Sequence, residues 1–142
     1  MTTTVAWVEI PVKDFDVSIP FYKTVCGFDI EIMDMGPIKT AIFMAPKGVV
    51  SADLTIGTPA PKGTGPIIHL GVGGALEDAV KRCAAASGEL VGDIVTIPPG
   101  RFQIAYAPDG NTLRLFEPAQ GPKSCAVPTV FFKLFNICEA VG

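Results

Sequence analysis

The sequence has little of several residue types on which much protein chemistry depends. It contains one histidine, one tryptophan and only 18% charged residues, with a net charge of −3. This balance leaves no basic surface for nucleic acid, so no nucleic-acid partner is expected. No apolar run reaches membrane-spanning length, and the N-terminal "MTTTVAWVEIPV" lacks the charged and apolar regions of a secretory signal. We therefore expect a cytoplasmic protein with no membrane partner.

Cysteines are few and lie far apart. The four are Cys26, Cys83, Cys125 and Cys138, and no two form a CxxC pair. This spacing spells out neither a zinc site nor a redox motif, so buried, reduced thiols are the expectation. Hydrophobic residues, in contrast, make up 49% of the 142 residues. The chain is therefore long and apolar enough for one domain with a substantial core.

The first half of the chain begins with a strand followed by a helix. "VAWVEIPV", at 5–12, has the β-branched alternation of a strand. The turn "KDFD" follows and offers Asp14 and Asp16, both good helix N-caps. A helix is predicted from about Asp16 to Cys26, with Gly27 as its stop. Three further strands are predicted at 28–33, 39–45 and 51–57.

The second half repeats this order after a connector rich in Pro and Gly. A strand at 66–72 precedes a helix over roughly Leu76–Ala86, and three strands follow. Both halves therefore read βαβββ, which indicates an internal duplication. The predicted boundaries are a first module at 1–57, a linker at 58–65, a second module at 66–118 and an extension at 119–142, all in one structural domain.

Two stretches of the duplicated pattern resemble a known family. "EIPVKDFDVSIPFYKTVCGF" resembles the first module of the vicinal-oxygen-chelate superfamily, and "APDGNTLRLFEP" resembles its closing hairpin and last strand. The superfamily includes glyoxalase I, bleomycin-resistance proteins and extradiol dioxygenases. The resemblance covers 5–118 and implies an α+β fold. In it, two tandem βαβββ modules form a curved, mostly antiparallel sheet with a ligand cleft on the concave face.

The same resemblance implies where a metal would be held. In the metal-dependent members, His or Glu side chains from the first and fourth strands of each module hold a divalent cation. Those positions fall here on Trp7, Asp53 and Arg114, and the remaining one on Ile67 or His69, depending on the alignment; we prefer Ile67. Trp cannot bind such a cation, and the Arg guanidinium stays protonated and repels it. No metal cofactor is therefore expected in the usual place.

Glu9 and His69 are the sharpest site candidates. Alternate residues of a strand share a face, so both are expected to point into the cleft. The internal repeat makes them counterparts, which predicts a Glu9–His69 pair across the pseudo-twofold axis. The alternative for His69 is a hydrogen-bonded core residue. Asp53 and Arg114 either contact the ligand or form a salt bridge with each other.

The predicted ligand-binding set also contains aromatic residues. It consists of Trp7, Glu9, Asp53, His69, Phe102 and Arg114. Trp7, Phe102 and Tyr106 are candidate cavity walls, although aromatic residues in strands are mostly core.

A displaced metal site is the alternative to a metal-free cleft. Glu9, His69 and Glu117 would suit zinc, manganese or iron. Glu117 lies three residues past Arg114, so on a regular strand it faces away from the cleft, and only a bulge would bring it in. No glycine-rich or Walker-type loop suggests a nucleotide cofactor.

Two functions of different classes are consistent with these residues. The first is a metal-free binding protein of the bleomycin-resistance kind, holding a small molecule in an acidic, aromatic-lined groove; Glu9, Asp53 and the net negative charge favour a cationic ligand. The second is a lyase or isomerase of the glyoxalase (lactoylglutathione lyase) kind, metal-dependent or metal-free, or a dioxygenase-like relative. In the lyase or isomerase, Glu9 or His69 would abstract a proton next to a carbonyl. Without a metal, Arg114 would have to stabilise the enolate.

The open strand edges of this fold predict a homodimer, because a second copy would cover what one chain exposes. The C-terminal "VPTVFFKLFNICEAVG" adds a further apolar surface. Its apolar residues recur at helical spacing: Phe131, Leu134, Phe135 and Cys138. This spacing predicts a helix from about Val130 to Val141 that packs on the domain or on the dimer partner.

Overall fold

The computed structural model describes residues 4–34 and 36–119. The first module consists of β1 (Val8–Val12), α1 (Phe15–Cys26), β2 (Ile30–Asp34), β3 (Lys39–Phe43) and β4 (Ala52–Ile56). The second consists of β5 (Ile68–Gly71), α2 (Leu76–Ala85), β6 (Glu89–Ile97), β7 (Gly100–Tyr106) and β8 (Thr112–Pro118). The predicted α+β fold with two tandem βαβββ modules is confirmed.

Each module forms its own four-stranded sheet. The strand orders are β1-β4-β3-β2 and β5-β8-β7-β6. The pairs β1–β4 and β5–β8 are parallel, and the other pairs are antiparallel, so the sheets are mostly antiparallel as expected. In the described part of the chain, hydrogen bonding does not continue from β1 to β5. Both strands are therefore sheet edges.

Alternation along the strands separates a core face from an open face. Ile10 and Val12 of β1 are fully buried, whereas Glu9, which precedes Ile10, is exposed. In β8, Leu113 and Leu115 are fully buried, and Arg114 between them is only partly buried. The buried members join side chains of α1 and α2 in one apolar cluster. The helices therefore cover one side of the sheets and leave the other for the remaining side chains.

Helix α1 has the ends that its sequence predicts. Asp14 is the N-cap, and its Oδ1 accepts a hydrogen bond of 2.9 Å from the backbone N–H of Asp16. Gly27 is the C-cap in the left-handed conformation, at φ 79°, and its N–H donates to the Lys23 carbonyl. Asp14, rather than Asp16, supplies the cap because the helix begins at Phe15. Gly27 is confirmed as the stop, since glycine adopts positive φ without strain.

Helix α2 is capped from outside its own segment. Its N-cap position holds Ala75, whose side chain cannot accept a hydrogen bond. Glu117 of β8 accepts one instead, at 2.8 Å from the N–H of Leu76, and also accepts hydrogen bonds from Arg101. Arg101 in turn forms an ion pair with Glu77. Glu117 thus joins β7 and β8 to the start of α2, on the helix-covered side of the sheet.

Replacing Glu117 with glutamine should lower the free energy of unfolding by about 1 kcal/mol, a typical loss for a helix cap. Hydrogen bonds from Arg101 hold the pKa of Glu117 below its usual value. The stabilisation is therefore present above the unfolded-state pKa and is lost as the pH falls through the lowered one. Urea denaturation at pH 7 and pH 3 should show a smaller wild-type advantage at the lower pH.

The matched control is Glu89→Gln. Glu89 makes a well-formed ion pair with Lys62, at 2.7 Å, but both side chains are more than half exposed. Exposed pairs contribute little, so this variant should resemble the wild type at both pH values. Equal losses in the two variants would contradict the capping role of Glu117.

Contacts between the modules run through the helices and one turn. Arg82 of α2 donates to the carbonyls of Thr24 and Val25, near the end of α1. In the turn between β7 and β8, Asn111 donates to the Pro11 carbonyl at 2.7 Å. These bonds satisfy helix-terminal and strand-edge carbonyls that would otherwise lack partners.

Three expectations concern other parts of the chain. Cys26 and Cys83 are buried free thiols, as expected, whereas Cys125 and Cys138 lie outside the described residues. The helix expected from about Val130 to Val141 also lies outside them. Among the helices that the structure describes, none is long and apolar enough to cross a membrane.

Candidate functional site

Each sheet presents one face away from the helices, and these two open faces hold the predicted site residues. The module-one face carries Glu9 of β1 beside Asp53 of β4, because these residues are partners in the parallel pair. The module-two face carries His69 of β5 beside Arg114 of β8, which are partners in the equivalent pair. The duplication therefore places an acidic pair in one module where the other has a His–Arg pair.

Two neighbouring carboxylates of the module-one face, those of Asp53 and Glu9, differ in their hydrogen bonding. Asp53 is only 6% exposed, and its Oδ2 accepts a hydrogen bond of 2.6 Å from Thr40 Oγ1. Its Oδ1 has no hydrogen-bond partner among the described residues. Glu9 is exposed, and within the described ranges it forms no hydrogen bond or ion pair. Trp7 precedes β1 and is 45% exposed. Glu9 and the Trp7 ring are therefore both accessible to a ligand.

The module-two face is organised around an arginine that lies on an aromatic ring. The Arg114 Cζ atom lies 4.5 Å from the centroid of the Phe102 ring, within the range of a cation–π interaction. The His69 ring makes edge-to-face contacts with Phe102 and Phe116, at centroid distances of 5.9 and 6.0 Å. Phe102 and Phe116 are themselves register partners of β7 and β8. We call His69, Phe102, Arg114 and Phe116 the aromatic platform.

The platform favours a neutral imidazole. Partial burial lowers the pKa of His69, and the positive charge of Arg114 lowers that pKa further. His69 is therefore mostly neutral at neutral pH, and one ring nitrogen is available as an acceptor or base.

The two side-chain pairs expected across the modules are not formed among the described residues. No hydrogen bond or ion pair joins Glu9 to His69 in the described part of the chain, and the pKa of His69 moves down rather than up. The charged neighbour of His69 is the Arg114 cation, because β5 pairs with β8 and not with β1. Asp53 and Arg114 likewise form no salt bridge; Asp53 accepts from Thr40 instead.

The residues present do not fit the family's metal site. Of its usual ligand positions, one carries the Trp7 indole and another the Arg114 guanidinium, which lies on Phe102. Asp53 is hydrogen-bonded to Thr40. The displaced set of Glu9, His69 and Glu117 is not brought together either, because Glu117 pairs with Arg101 on the opposite side of the sheet. A cation would meet a fixed positive charge here and too few donors.

A cavity of about 340 Å³ lies where the two modules meet. Its lining is mostly apolar: Val8, Phe28, Phe43, Met44, Ala45, Val49, Val50, Ser51, Ala52, Ile68, His69, Leu70 and Gly71. His69 thus belongs both to this cavity and to the platform. Because β1, β4 and β5 all contribute to it, the cavity depends on both modules being present.

Two further residues belong to the site although they are not in the set predicted from the sequence. Phe116 completes the platform, and its position two residues past Arg114 could have indicated it, because such residues share a strand face. Thr40 is the hydrogen-bond partner of Asp53, and no sequence pattern pointed to it. Tyr106, a candidate wall, lies on the same face as Arg114, with the Lys62 ammonium 5.7 Å from its ring centroid.

Two βαβββ modules, each with one open sheet face, define the class of protein to which this architecture belongs. The family model of the Glyoxalase/Bleomycin resistance protein/Dioxygenase superfamily matches residues 4–115. The chain belongs to this superfamily. No curated protein matches the sequence.

Solved structures agree on the fold. A hypothetical protein from S. aureus is 22% identical with a TM-score of 0.61, and the match covers 82% of this chain and 98% of that one. The fosfomycin resistance protein FosX from Listeria monocytogenes is 15% identical with a TM-score of 0.65, covering 84% and 94%. A glyoxalase/bleomycin resistance protein from Albidiferax ferrireducens is 18% identical with a TM-score of 0.63, covering 82% and 100%. At these identities the likeness concerns the fold alone.

Proposed function

We propose that this protein binds a small molecule on its open sheet faces without a metal ion, and that it acts as a homodimer in the cytoplasm. The observation that carries the proposal is that the Arg114 guanidinium lies on the Phe102 ring. Metal-dependent relatives have a metal-coordinating side chain at the position of Arg114. A fixed cation in that place disfavours a second cation a few ångströms away. The buried free thiols Cys26 and Cys83 suit a reducing compartment.

Glu9 is the residue proposed to hold a positively charged group of the ligand. It is exposed on the open face, and it lacks a hydrogen-bond or ion-pair partner in the described residues. Neighbouring Asp53 adds a second negative charge to the same face. The exposed Trp7 indole supplies an apolar and aromatic surface close to these carboxylates, which suits an organic cation.

The proposed dimer rests on apolar side chains left exposed near the open faces. Trp7, Met33, Ile67 and Val95 are each at least 40% exposed. Strands β1 and β5 are also sheet edges in the described part of the chain. A second copy would cover both features, because apolar patches and open strand edges favour association.

Native mass spectrometry of the purified protein tests these three properties together. We expect the mass of a dimer, metal content far below one ion per chain, and a retained or added cationic ligand whose binding weakens in Glu9→Gln. The substitution should leave the fold intact because Glu9 is exposed. A monomer at micromolar concentration would overturn the dimer. Stoichiometric metal that is lost on His69→Ala would overturn the metal-free site.

A metal-free lyase or isomerase is the second candidate, and the lowered pKa of His69 favours it. A neutral imidazole next to a guanidinium offers a general base together with a group that could stabilise an enolate. Such an enzyme would exchange a carbon-bound hydrogen of its ligand with solvent. Deuterium uptake into the ligand in heavy water, absent in His69→Ala, would favour catalysis over binding alone.

A further inference from the structure

The guanidinium of Arg114 has no hydrogen-bond acceptor among the residues that the structure describes. The residue is partly buried, and its Nε atom is fully buried without a hydrogen-bond partner among the described residues. The guanidinium lies on the face of Phe102, and its positive charge acts on His69. A planar cation with several unused N–H donors is therefore held in a fixed place on an aromatic ring.

Carboxylates near this side chain are engaged elsewhere or belong to the other module. Glu117, three residues along β8, is on the opposite side of the sheet and pairs with Arg101. Asp53 accepts from Thr40, and Glu9 lies on β1, which is not hydrogen-bonded to the module-two sheet. His69 is the titratable register neighbour of Arg114, and it carries no negative charge in either protonation state. The positive charge of the platform is thus uncompensated in the described part of the chain.

We infer that the aromatic platform binds a carboxylate group of the ligand, with Arg114 as the residue that contacts it. This inference rests on the proposed binding function and specifies the ligand class. The guanidinium fork matches the two oxygens of a carboxylate, and one cation balances one negative charge. A phosphate dianion would keep one negative charge that this single cation does not balance. Exposed Ile67, next to β5, suits a carboxylate carried on an apolar or aromatic frame.

Combined with Glu9, the platform selects a ligand that carries both charges. The cationic group lies at the module-one face and the carboxylate at the module-two face, so each end is recognised by a different module. A molecule with only one of these charges would use half of the site. The two halves can therefore be tested separately.

Fluorine NMR titration with 4-fluorobenzoate tests the carboxylate site, and uncharged 4-fluorobenzamide is the matched probe. We expect saturable binding of the benzoate, about tenfold or more weaker in Arg114→Leu, as for the loss of a hydrogen bond to a charged group. Arg114→Lys should retain part of the benzoate affinity, because lysine keeps the positive charge but lacks the two parallel N–H donors of the guanidinium. The benzamide should bind weakly and equally to all variants.

Lys62→Gln is the control variant. Lys62 also lies over an aromatic ring, that of Tyr106, but it already has a carboxylate partner in Glu89. Its substitution removes the same charge and the same kind of ring contact, so benzoate affinity should change by less than about twofold. An equal loss in Lys62→Gln and Arg114→Leu would reduce the effect to net charge and overturn the assignment.

Further outcomes separate this inference from the proposed function. If 4-fluorobenzylammonium binds in a Glu9-dependent manner while benzoate binding is absent or ignores Arg114, the platform assignment is wrong and the binding function stands. If Arg114→Leu converts a dimer to a monomer, the guanidinium pairs with a partner's carboxylate, and the assignment is again wrong. Unfolding by urea should show Arg114→Leu and Arg114→Lys to be folded, so that lost affinity reports the site.

Discussion

Gly100→Ala is expected to lower the free energy of unfolding by about 3 kcal/mol or more, through severe overpacking. Gly100 opens β7 opposite Pro118 of β8. A Cβ atom at this position would lie 2.1 Å from the Glu117 carbonyl oxygen and 2.9 Å from the Pro118 Cα. Both are backbone atoms of a paired strand, so relief requires the β7–β8 ladder to separate locally. Thermal and urea unfolding at pH 7 measure the loss.

Gly73→Ala is the control for this effect. A Cβ added at Gly73 would meet no atom within 4 Å, so its cost should stay within the small range typical of exposed loop positions. If Gly100→Ala were as stable as Gly73→Ala, that result would contradict the close approach of β7 and β8 at Gly100. Because Arg101 and Phe102 follow Gly100 directly, a local opening here should also disturb the Glu117 cap and the platform.

Phe102→Ala should also cost about 3 kcal/mol, the usual range for a buried aromatic residue. Phe102 is 6% exposed and supports both Arg114 and His69. Removing its ring would admit water to the platform. Since burial is the main cause of the lowered pKa of His69, that pKa should rise towards its ordinary value. The two effects, on stability and on titration, come from the same lost ring.

The titration has a clean readout because His69 is the only histidine in the chain. Its C2 proton gives one NMR signal to follow with pH in the wild type and the variants. Phe102→Leu is the matched control; it keeps apolar cover, so it should cost less than about 1.5 kcal/mol and leave the pKa nearly unchanged. An unaltered His69 titration in Phe102→Ala would contradict the arrangement of the platform.

The direction of the pH effect on stability follows from the same shift. With a folded-state pKa below the unfolded value, the unfolded chain takes up the His69 proton first as the pH falls. The wild type should therefore lose stability between about pH 6.5, the ordinary histidine pKa, and the lowered pKa. Above this pH window, the contribution of His69 to the free energy of unfolding does not change with pH. In Phe102→Ala the window should narrow, because the two pKa values approach each other.

The chemistry of the two open faces differs more than their shared ancestry in the duplication suggests. Register positions that carry Glu9 and Asp53 in the first module carry His69 and Arg114 in the second. One face is acidic, and the other combines a cation with a neutral imidazole. This asymmetry supports recognition of a ligand with two different ends, and it separates the site from a symmetric arrangement of metal ligands.

Much of the fold was predictable because its signals are local. Glycine at the end of α1 and aspartate at its start act through hydrogen bonds within one turn, so Asp14 and Gly27 fall where the sequence places the helix ends. Strand alternation acts over two residues, which is why Glu9, His69 and Arg114 could be assigned to one face and Glu117 to the other. The repeated βαβββ order then followed from the order of these elements along the chain.

Side-chain partners, in contrast, were decided by the tertiary structure. The sequence predicted a Glu9–His69 pair, yet β1 and β5 belong to different sheets and each pairs with the last strand of its own module. His69 therefore lies beside Arg114, and its pKa moves down instead of up. The contacts of Arg114 with Phe102, of Asp53 with Thr40 and of Glu117 with Leu76 likewise join residues distant in sequence. Periodicity fixes which face a side chain occupies; which neighbour it meets there depends on strand order and register, set by packing of the whole chain.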